Sequence, residues 1–123
     1  MAHIILAEDD SSMRQFLELA LKKAGHEVTP CADGQIAFDT LRDNPTVDLL
    51  LTDIVMPGMD GIELSRKAVK LHPALKVMFI TGFAAIAMNE KDKKDSPVKD
   101  GQIMSKPFHL KDLVQQVEIT LAA

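Results

Sequence analysis

The chain has 123 residues, of which 46% are hydrophobic and 26% charged, and this length and composition predict a single domain over residues 1–123. The net charge is −4, from 14 basic and 18 acidic residues, which argues against nucleic-acid binding because that requires a clustered basic surface. No apolar run approaches the roughly 20 residues of a membrane helix. The single cysteine, Cys31, excludes an internal disulfide, so we expect a cytoplasmic location.

Short apolar segments alternate with amphipathic stretches along the chain. The segments predicted as strands are residues 4–7, 28–31, 47–52, 77–80 and 103–104. The stretches predicted as helices lie between residues 12 and 24, 33 and 44, 62 and 71, and 110 and 121. Asp10 is an expected N-cap of the first helix, and Ser12 with Gln15 would form a capping box there. This alternation predicts an α/β fold with a parallel sheet and helices on both faces.

The stretch between the third of these helices and the last departs from the pattern. Residues 84–88 have helical character, but residues 91–97 are polar and end in a proline. We therefore expect a short or irregular fourth helix followed by an exposed loop. The sequence leaves the structure of residues 89–101 open.

Proline at position 30 constrains the order of the strands. Pro30 cannot donate to a strand ladder, so the second strand should lie at an edge of the sheet. The doubly wound strand order 2-1-3-4-5 satisfies this requirement. In such sheets the functional site lies beyond the carboxyl ends of the strands where the order reverses, which here means the first and third strands.

Three carboxylates are expected to meet at that point. Glu8 and Asp9 follow the first strand, and Asp53 ends the third. Like charges this close repel each other unless a cation joins them, and oxygen ligands suit Mg²⁺. Asp53, at the end of an otherwise apolar strand, is the candidate nucleophile for an acyl phosphate. Asp10 is expected only to cap the helix.

The ends of the fourth and fifth strands provide groups that suit a phosphoryl anion. Thr81 offers a hydroxyl donor, and Gly82 lets an anion approach the main chain. Lys106 offers a cation, and phosphoryl transfer requires neutralisation of the phosphoryl oxygens. The Lys106–Pro107 bond is of the kind that adopts the cis form most readily, and a cis bond would turn Lys106 inward.

These residues together resemble the receiver domain of two-component response regulators. The matching segments are residues 6–10, 51–61, 80–82 and 105–108. The resemblance implies a flavodoxin-like or CheY-like fold, with a phosphoacceptor aspartate at position 53. It also implies that Asp9, Asp53 and the Val55 carbonyl bind Mg²⁺, that Glu8 binds it through water, and that Lys106–Pro107 is cis. The implied phosphate-binding residues are Thr81, Gly82, Lys106 and Ile54.

The resemblance also implies partners. A receiver accepts its phosphoryl group from a histidine kinase or a histidine phosphotransferase, and it signals through protein contacts. Residues 78–85 and 105–110 look like those of the CpdR type, a lone receiver of cell-cycle phosphorelays that acts as an adaptor for the ClpX–ClpP protease. No output domain is expected. Such a protein assists only its own phosphorylation and slow dephosphorylation, so we do not expect an enzyme.

Two features of the sequence concern the switch and the lifetime of the phosphoryl group, and the first of them departs from the receiver pattern. Many receivers have an aromatic residue where this chain has Ile103. We expect Thr81 to move toward the phosphate and Ile103 to repack in the space it leaves. Val55 and Phe83 flank the expected phosphate, and neither can orient an attacking water by hydrogen bonding. The sequence therefore predicts a persistent phosphoryl group.

Two alternative functions remain open. One is a magnesium-dependent aspartyl-phosphate phosphohydrolase of the haloacid dehalogenase type, but that chemistry needs an acid two residues after the nucleophile, where this chain has Val55. The other is a degenerate receiver that acts only as a binding scaffold. Asp9, Asp53, Thr81 and Lys106 are all present, which argues against degeneracy.

Overall fold

Apolar runs and amphipathic stretches form the predicted alternation of strands and helices. The structure is a computed structural model, and it describes residues 2–81 and 103–123. Its strands are β1 (His3–Ala7), β2 (Glu27–Cys31), β3 (Leu49–Asp53), β4 (Lys76–Thr81) and β5 (Ile103–Ser105). Its helices are α1 (Ser11–Lys23), α2 (Gly34–Asp43), α3 (Gly61–Leu71) and the C-terminal helix (Leu110–Ala122). The predicted fourth helix and residues 89–101 lie outside the described residues.

All strand pairs are parallel, and the order is β2-β1-β3-β4-β5. This confirms the predicted order and places β2 at the edge. Pro30 lies opposite Leu6 in the pairing of β1 with β2. Since β2 has a single neighbour in this sheet, no ladder on its outer side needs the amide hydrogen that Pro30 lacks.

The core has two layers, one on each face of the sheet. Every residue of β3 is buried, as expected for a central parallel strand covered on both faces. Leu49 and Leu51 face the layer formed with α1 and the C-terminal helix. Leu50 faces the layer formed with α2 and α3. Each fully buried leucine contributes roughly 2 kcal/mol of transfer free energy, so the middle of β3 is held firmly in register.

Aspartates cap the first three helices and thereby fix where each helix begins. The carboxylate of Asp10 accepts from the Met13 amide at 2.9 Å. Asp33 and Asp60 cap α2 and α3 in the same way. The predicted capping box at Ser12 is wrong, because Asp10 occupies the cap position and Ser12 lies inside the first turn of α1.

None of the helices within residues 2–81 and 103–123 combines the length and the apolar character that a membrane crossing demands.

Candidate functional site

The carboxyl ends of β1, β3 and β5 bring the predicted charged residues together. Carboxylate oxygens of Glu8, Asp9 and Asp53 all lie within 4.8 Å of one another. Lys106 places its Nζ 2.9 Å from Glu8 Oε1 and 3.0 Å from Asp53 Oδ2. The convergence of positions 8, 9, 53 and 106 follows directly from the sheet order, since parallel strands end at the same edge.

Glu8 is the most deeply buried of the acids, with no exposed surface. Its Oε2 accepts from the Asp10 amide at 3.2 Å, and Oε1 accepts from Lys106. Burial raises the pKa of Glu8 to about 7, against the lowering effect of these two hydrogen bonds. A buried carboxylate with this pKa takes up a proton near neutral pH unless a second cation, such as a metal ion, binds beside it.

Lys106 follows β5 and is joined to Pro107 by a cis peptide bond, as predicted. Its main-chain amide donates to the carbonyl of Thr81 at 2.6 Å, which ties the start of this turn to the end of β4. Burial lowers the pKa of Lys106, but hydrogen bonds to Glu8 and Asp53 outweigh it and leave the pKa raised. Lys106 therefore remains a cation throughout the physiological range.

Asp53 ends β3 and is 6% exposed, so little of the residue is accessible to solvent. Its Oδ1 accepts from the Val55 amide at 3.3 Å. The Ile54 amide, in contrast, donates to the Ile80 carbonyl at 3.2 Å, so it serves the sheet instead of facing the carboxylate. Val55 itself is 63% exposed.

Thr81 and Ile103, the predicted switch residues, lie on the same face of the sheet. Thr81 ends β4 and is 1% exposed. Ile103 pairs with Phe79, two residues before Thr81, and packs half-buried against the layer that includes α2 and α3. Side chains two residues apart in a strand share a face. Gly82 and Phe83 lie outside the described residues.

Two residues near Asp53 escaped the sequence analysis. Thr52 is completely buried, and its hydroxyl donates to the main-chain carbonyl of Asp53 at 2.8 Å. A Cβ added to Gly61 would overlap that same carbonyl oxygen, so a side chain is not tolerated there. A polar residue between a leucine run and the nucleophile was the available signal for Thr52.

A cavity of about 760 Å³ lies at the amino ends of the strands, away from Asp53. Two of the ionisable side chains in its lining have close partners: His26 Nε2 lies 2.6 Å from Glu118 Oε1, and Lys76 Nζ donates to the Ala123 carbonyl at 2.6 Å. Among the described residues, the three acids that could together hold a metal ion lie instead at the carboxyl ends of the strands.

The donor set around Asp53 fits a hard divalent cation. The cluster offers oxygen ligands alone, and Mg²⁺ is bound through one or two carboxylates with water completing its shell. The three acids exceed the charge of Lys106, which leaves negative potential for a cation to neutralise. The site can therefore combine a buried carboxylate nucleophile, a permanent cation and a place for Mg²⁺.

Comparisons with known proteins agree with this geometry. The model of the response regulator receiver domain family matches residues 4–118. The response regulator receiver protein CpdR of Brucella abortus is 54% identical over 100% of this chain and 99% of its own length. The sensor kinase CckA of the same organism is 35% identical over 95% of this chain, which corresponds to 12% of the kinase. The crystal structure of a response regulator receiver protein from Sinorhizobium medicae superposes with a TM-score of 0.84 at 28% identity, covering 99% of this chain and 95% of that one. The chain belongs to the response regulator receiver domain family.

Proposed function

We propose that Asp53 accepts a phosphoryl group in a Mg²⁺-dependent reaction and that the phosphorylated domain signals by changing its protein contacts. The observation that carries the proposal is the pairing of Lys106 with Asp53, at 3.0 Å, beside Glu8 and Asp9. The nucleophile and the cation are 53 positions apart in the sequence, and they lie beside each other where they could both contact a phosphoryl group.

The donor in this proposal is a phosphohistidine of a histidine kinase or a histidine phosphotransferase. A carboxylate oxygen of Asp53 attacks phosphorus, the phosphorus–nitrogen bond breaks, and the imidazole leaves as the neutral ring after taking up a proton. Lys106 neutralises one phosphoryl oxygen, and the hydroxyl of Thr81 donates to another. Phosphoryl transfer depends on such positioning and charge neutralisation more than on covalent help from the protein.

Mg²⁺ would be held by Asp9, Asp53 and the Val55 carbonyl directly, and by Glu8 through water. When bound, it supplies charge neutralisation at the phosphoryl oxygens. These residues suit Mg²⁺ because all of them offer oxygen ligands. One of them, Glu8, is a buried carboxylate whose pKa is raised to about 7.

The contacts around β3 favour the Val55 amide over the Ile54 amide as the main-chain donor to the phosphoryl group. The Val55 amide faces Asp53 Oδ1 at 3.3 Å, whereas the Ile54 amide is engaged with the Ile80 carbonyl. Gly82 is proposed to provide the second main-chain donor, from the end of β4.

The proposed switch couples Thr81 to Ile103. Thr81 moves toward the bound phosphoryl group, and Ile103 repacks into the space that opens on the shared face of the sheet. Their shared face, and the half-buried position of Ile103, support this coupling. The change would then reach β5, which pairs with β4.

The proposed output is contact with another protein. We propose a single receiver domain over residues 1–123, located in the cytoplasm. Two observations support the ClpX–ClpP protease as a partner. The chain is similar to a protein named CpdR, and residues 78–85 and 105–110 resemble those of the CpdR type. The domain is not proposed to turn over substrate. It assists its own phosphorylation and the slow loss of the phosphoryl group.

A small acyl phosphate with Mg²⁺, followed by mass spectrometry of the protein, tests the proposal. The expected result is addition of one phosphoryl group to the natural chain and to Asp43→Asn, whose carboxylate is exposed at the end of α2, but none to Asp53→Asn. Turnover of the donor without a stable product would instead indicate a phosphohydrolase. An unchanged mass in the presence of Mg²⁺ would indicate a binding scaffold.

A further inference from the structure

Thr52 lies immediately before the phosphoacceptor, and its hydroxyl donates a hydrogen bond to the main chain. The pairing of β1 with β3 ends at Ala7 and Thr52, so the carbonyl of Asp53 lies one residue beyond the last pair. Thr52 is completely buried, and its hydroxyl donates to that carbonyl at 2.8 Å. A buried carbonyl beyond the end of a ladder needs such a donor.

The peptide group that joins Asp53 to Ile54 is consequently held on both sides. Its carbonyl accepts from the Thr52 hydroxyl, and its amide donates to the Ile80 carbonyl at 3.2 Å. These two bonds fix the plane of the peptide that leads out of β3.

The next peptide group, which joins Ile54 to Val55, is held in the same way. Its carbonyl accepts from the Gly61 amide at 2.8 Å, and its amide faces Asp53 Oδ1 at 3.3 Å. Two consecutive peptide planes are therefore anchored at all four polar atoms. Among these anchors, Thr52 and Asp53 contribute side chains, and the others are main-chain groups.

We infer that Thr52 is a positioning residue for the phosphoacceptor: its hydroxyl sets the peptide plane after Asp53 and thereby aims the main chain of Val55 at the Asp53 carboxylate. The inference rests on the proposed function, because it concerns the same site. Thr52 does not touch the phosphoryl group, since successive side chains of a strand point to opposite faces. It acts through the main chain.

Three substitutions at position 52 separate the hydroxyl from the shape of the side chain. Thr52→Val keeps the branched shape and removes the hydroxyl, while Thr52→Ser and Thr52→Ala both lack the methyl group and differ only in the hydroxyl. Thr120→Val is the matched control: Thr120 is 2% exposed on the C-terminal helix, and its hydroxyl finds no hydrogen-bond partner among the described residues.

Two readouts distinguish positioning from a merely structural role. The first is amide hydrogen exchange at Val55 in the metal-free protein, measured by NMR. The second is the affinity for Mg²⁺ alone, measured by calorimetry, because the chain contains no tryptophan or tyrosine to report binding by fluorescence. Loss of a group that orients a metal ligand typically weakens metal affinity by about 10-fold or more.

We expect Thr52→Val to exchange faster at Val55 and to bind Mg²⁺ about tenfold more weakly, with Thr52→Ser and Thr120→Val close to the natural chain. If Thr52→Val fails to fold, the comparison of Thr52→Ser with Thr52→Ala carries the test. A lower melting temperature with unchanged Val55 exchange and unchanged Mg²⁺ affinity would overturn the inference. Failure of the natural chain to bind Mg²⁺ or accept a phosphoryl group overturns the proposed function, and this inference with it.

Discussion

The Nζ atom of Lys106 lies 2.9 Å from Oε1 of Glu8, so a cation from the end of β5 is paired with a fully buried carboxylate from the end of β1. Without a metal ion, this lysine provides the positive charge next to the acids. Each partner shifts the other: the hydrogen bond from Lys106 lowers the pKa of Glu8, and the bond to Glu8 raises the pKa of Lys106. The pair therefore links the stability of the metal-free domain to its charge state.

Replacing Lys106 with methionine should destabilise the metal-free protein more at pH 8 than at pH 5. Burial already raises the pKa of Glu8 to about 7, and loss of Lys106 raises it further. When the pKa of a carboxyl is higher in the folded state than in the unfolded state, the protein loses stability as the pH rises from the unfolded pKa through the folded pKa. At pH 8 we expect the free energy of unfolding to fall by about 2 kcal/mol, which is less than the loss typical of a fully buried pair. Denaturant unfolding measures this change.

Lys67→Met provides the control for this experiment, because Lys67 pairs with Glu63 on the exposed surface of α3. Its effect should stay within about 0.5 kcal/mol at either pH. Equal destabilisation of Lys106→Met at pH 5 and pH 8 would contradict the assignment of the pH dependence to Glu8.

The affinity for Mg²⁺ should fall as pH drops below 7. Glu8 holds a proton below its pKa of about 7, and that proton removes the negative charge that would hold the hydrated cation, so the affinity should fall by up to about tenfold per pH unit. Calorimetry in buffers of different ionisation enthalpy should detect proton release at pH 6 and little at pH 8. Glu8→Gln should bind with no such pH dependence, and a natural chain whose affinity is equally flat from pH 6 to pH 8 would refute the mechanism.

A polar side chain at position 55 should shorten the life of the phosphoryl group. Val55 is 63% exposed and lies two residues after the phosphoacceptor, and its side chain cannot orient an attacking water. Val55→Asn can do so, and we expect hydrolysis to accelerate by about 10- to 100-fold, at or below the low end of the range for positioned acid–base groups. The phosphorylated fraction is followed by mass spectrometry after removal of the donor.

Ile119→Asn is the control for Val55→Asn, because Ile119 is similarly exposed, at 54%, on the C-terminal helix. Its phosphoryl group should last as long as that of the natural chain. Loss of the phosphoryl group from the natural chain within seconds would count against the expected persistence.

Ile103→Ala should uncouple phosphorylation from the change of shape. Ile103 is half-buried on the same face of the sheet as Thr81, so truncation leaves no side chain to fill the space that Thr81 vacates. We expect normal phosphorylation, a loss of about 1–2 kcal/mol of stability, and much smaller phosphorylation-dependent NMR shift changes. Val69→Ala, truncated against the same core layer, should lose comparable stability and keep those changes. A full shape change in Ile103→Ala would remove the support for the proposed switch.

Much of the fold could be predicted from local pattern. Apolar runs identified the strands to within a residue or two, and Pro30 placed β2 at the edge because proline cannot serve a ladder on both sides. Parallel order then located the site beyond the carboxyl ends of β1 and β3, so Asp53, Glu8 and Lys106 could be assigned to one crevice before any distance was known.

Contacts that depend on where each strand stops could not be predicted in this way. The periodicity does not indicate that β1–β3 pairing ends at Ala7 and Thr52, which leaves the Asp53 carbonyl beyond the last pair, where it accepts from the Thr52 hydroxyl. The sequence likewise offered Ile54 as a phosphate ligand, whereas its amide pairs with Ile80 and the Val55 amide faces the carboxylate.

By itself, the sequence determined the order of the elements, the chemical character of the site and the family, because hydrophobic period and residue type are local properties. Only the tertiary structure decided which amide, hydroxyl and ammonium contact the phosphoacceptor. Hydrogen bonds need a donor and an acceptor within about 3 Å, and that proximity arises from register and strand length, which adjacent residues in the chain do not specify.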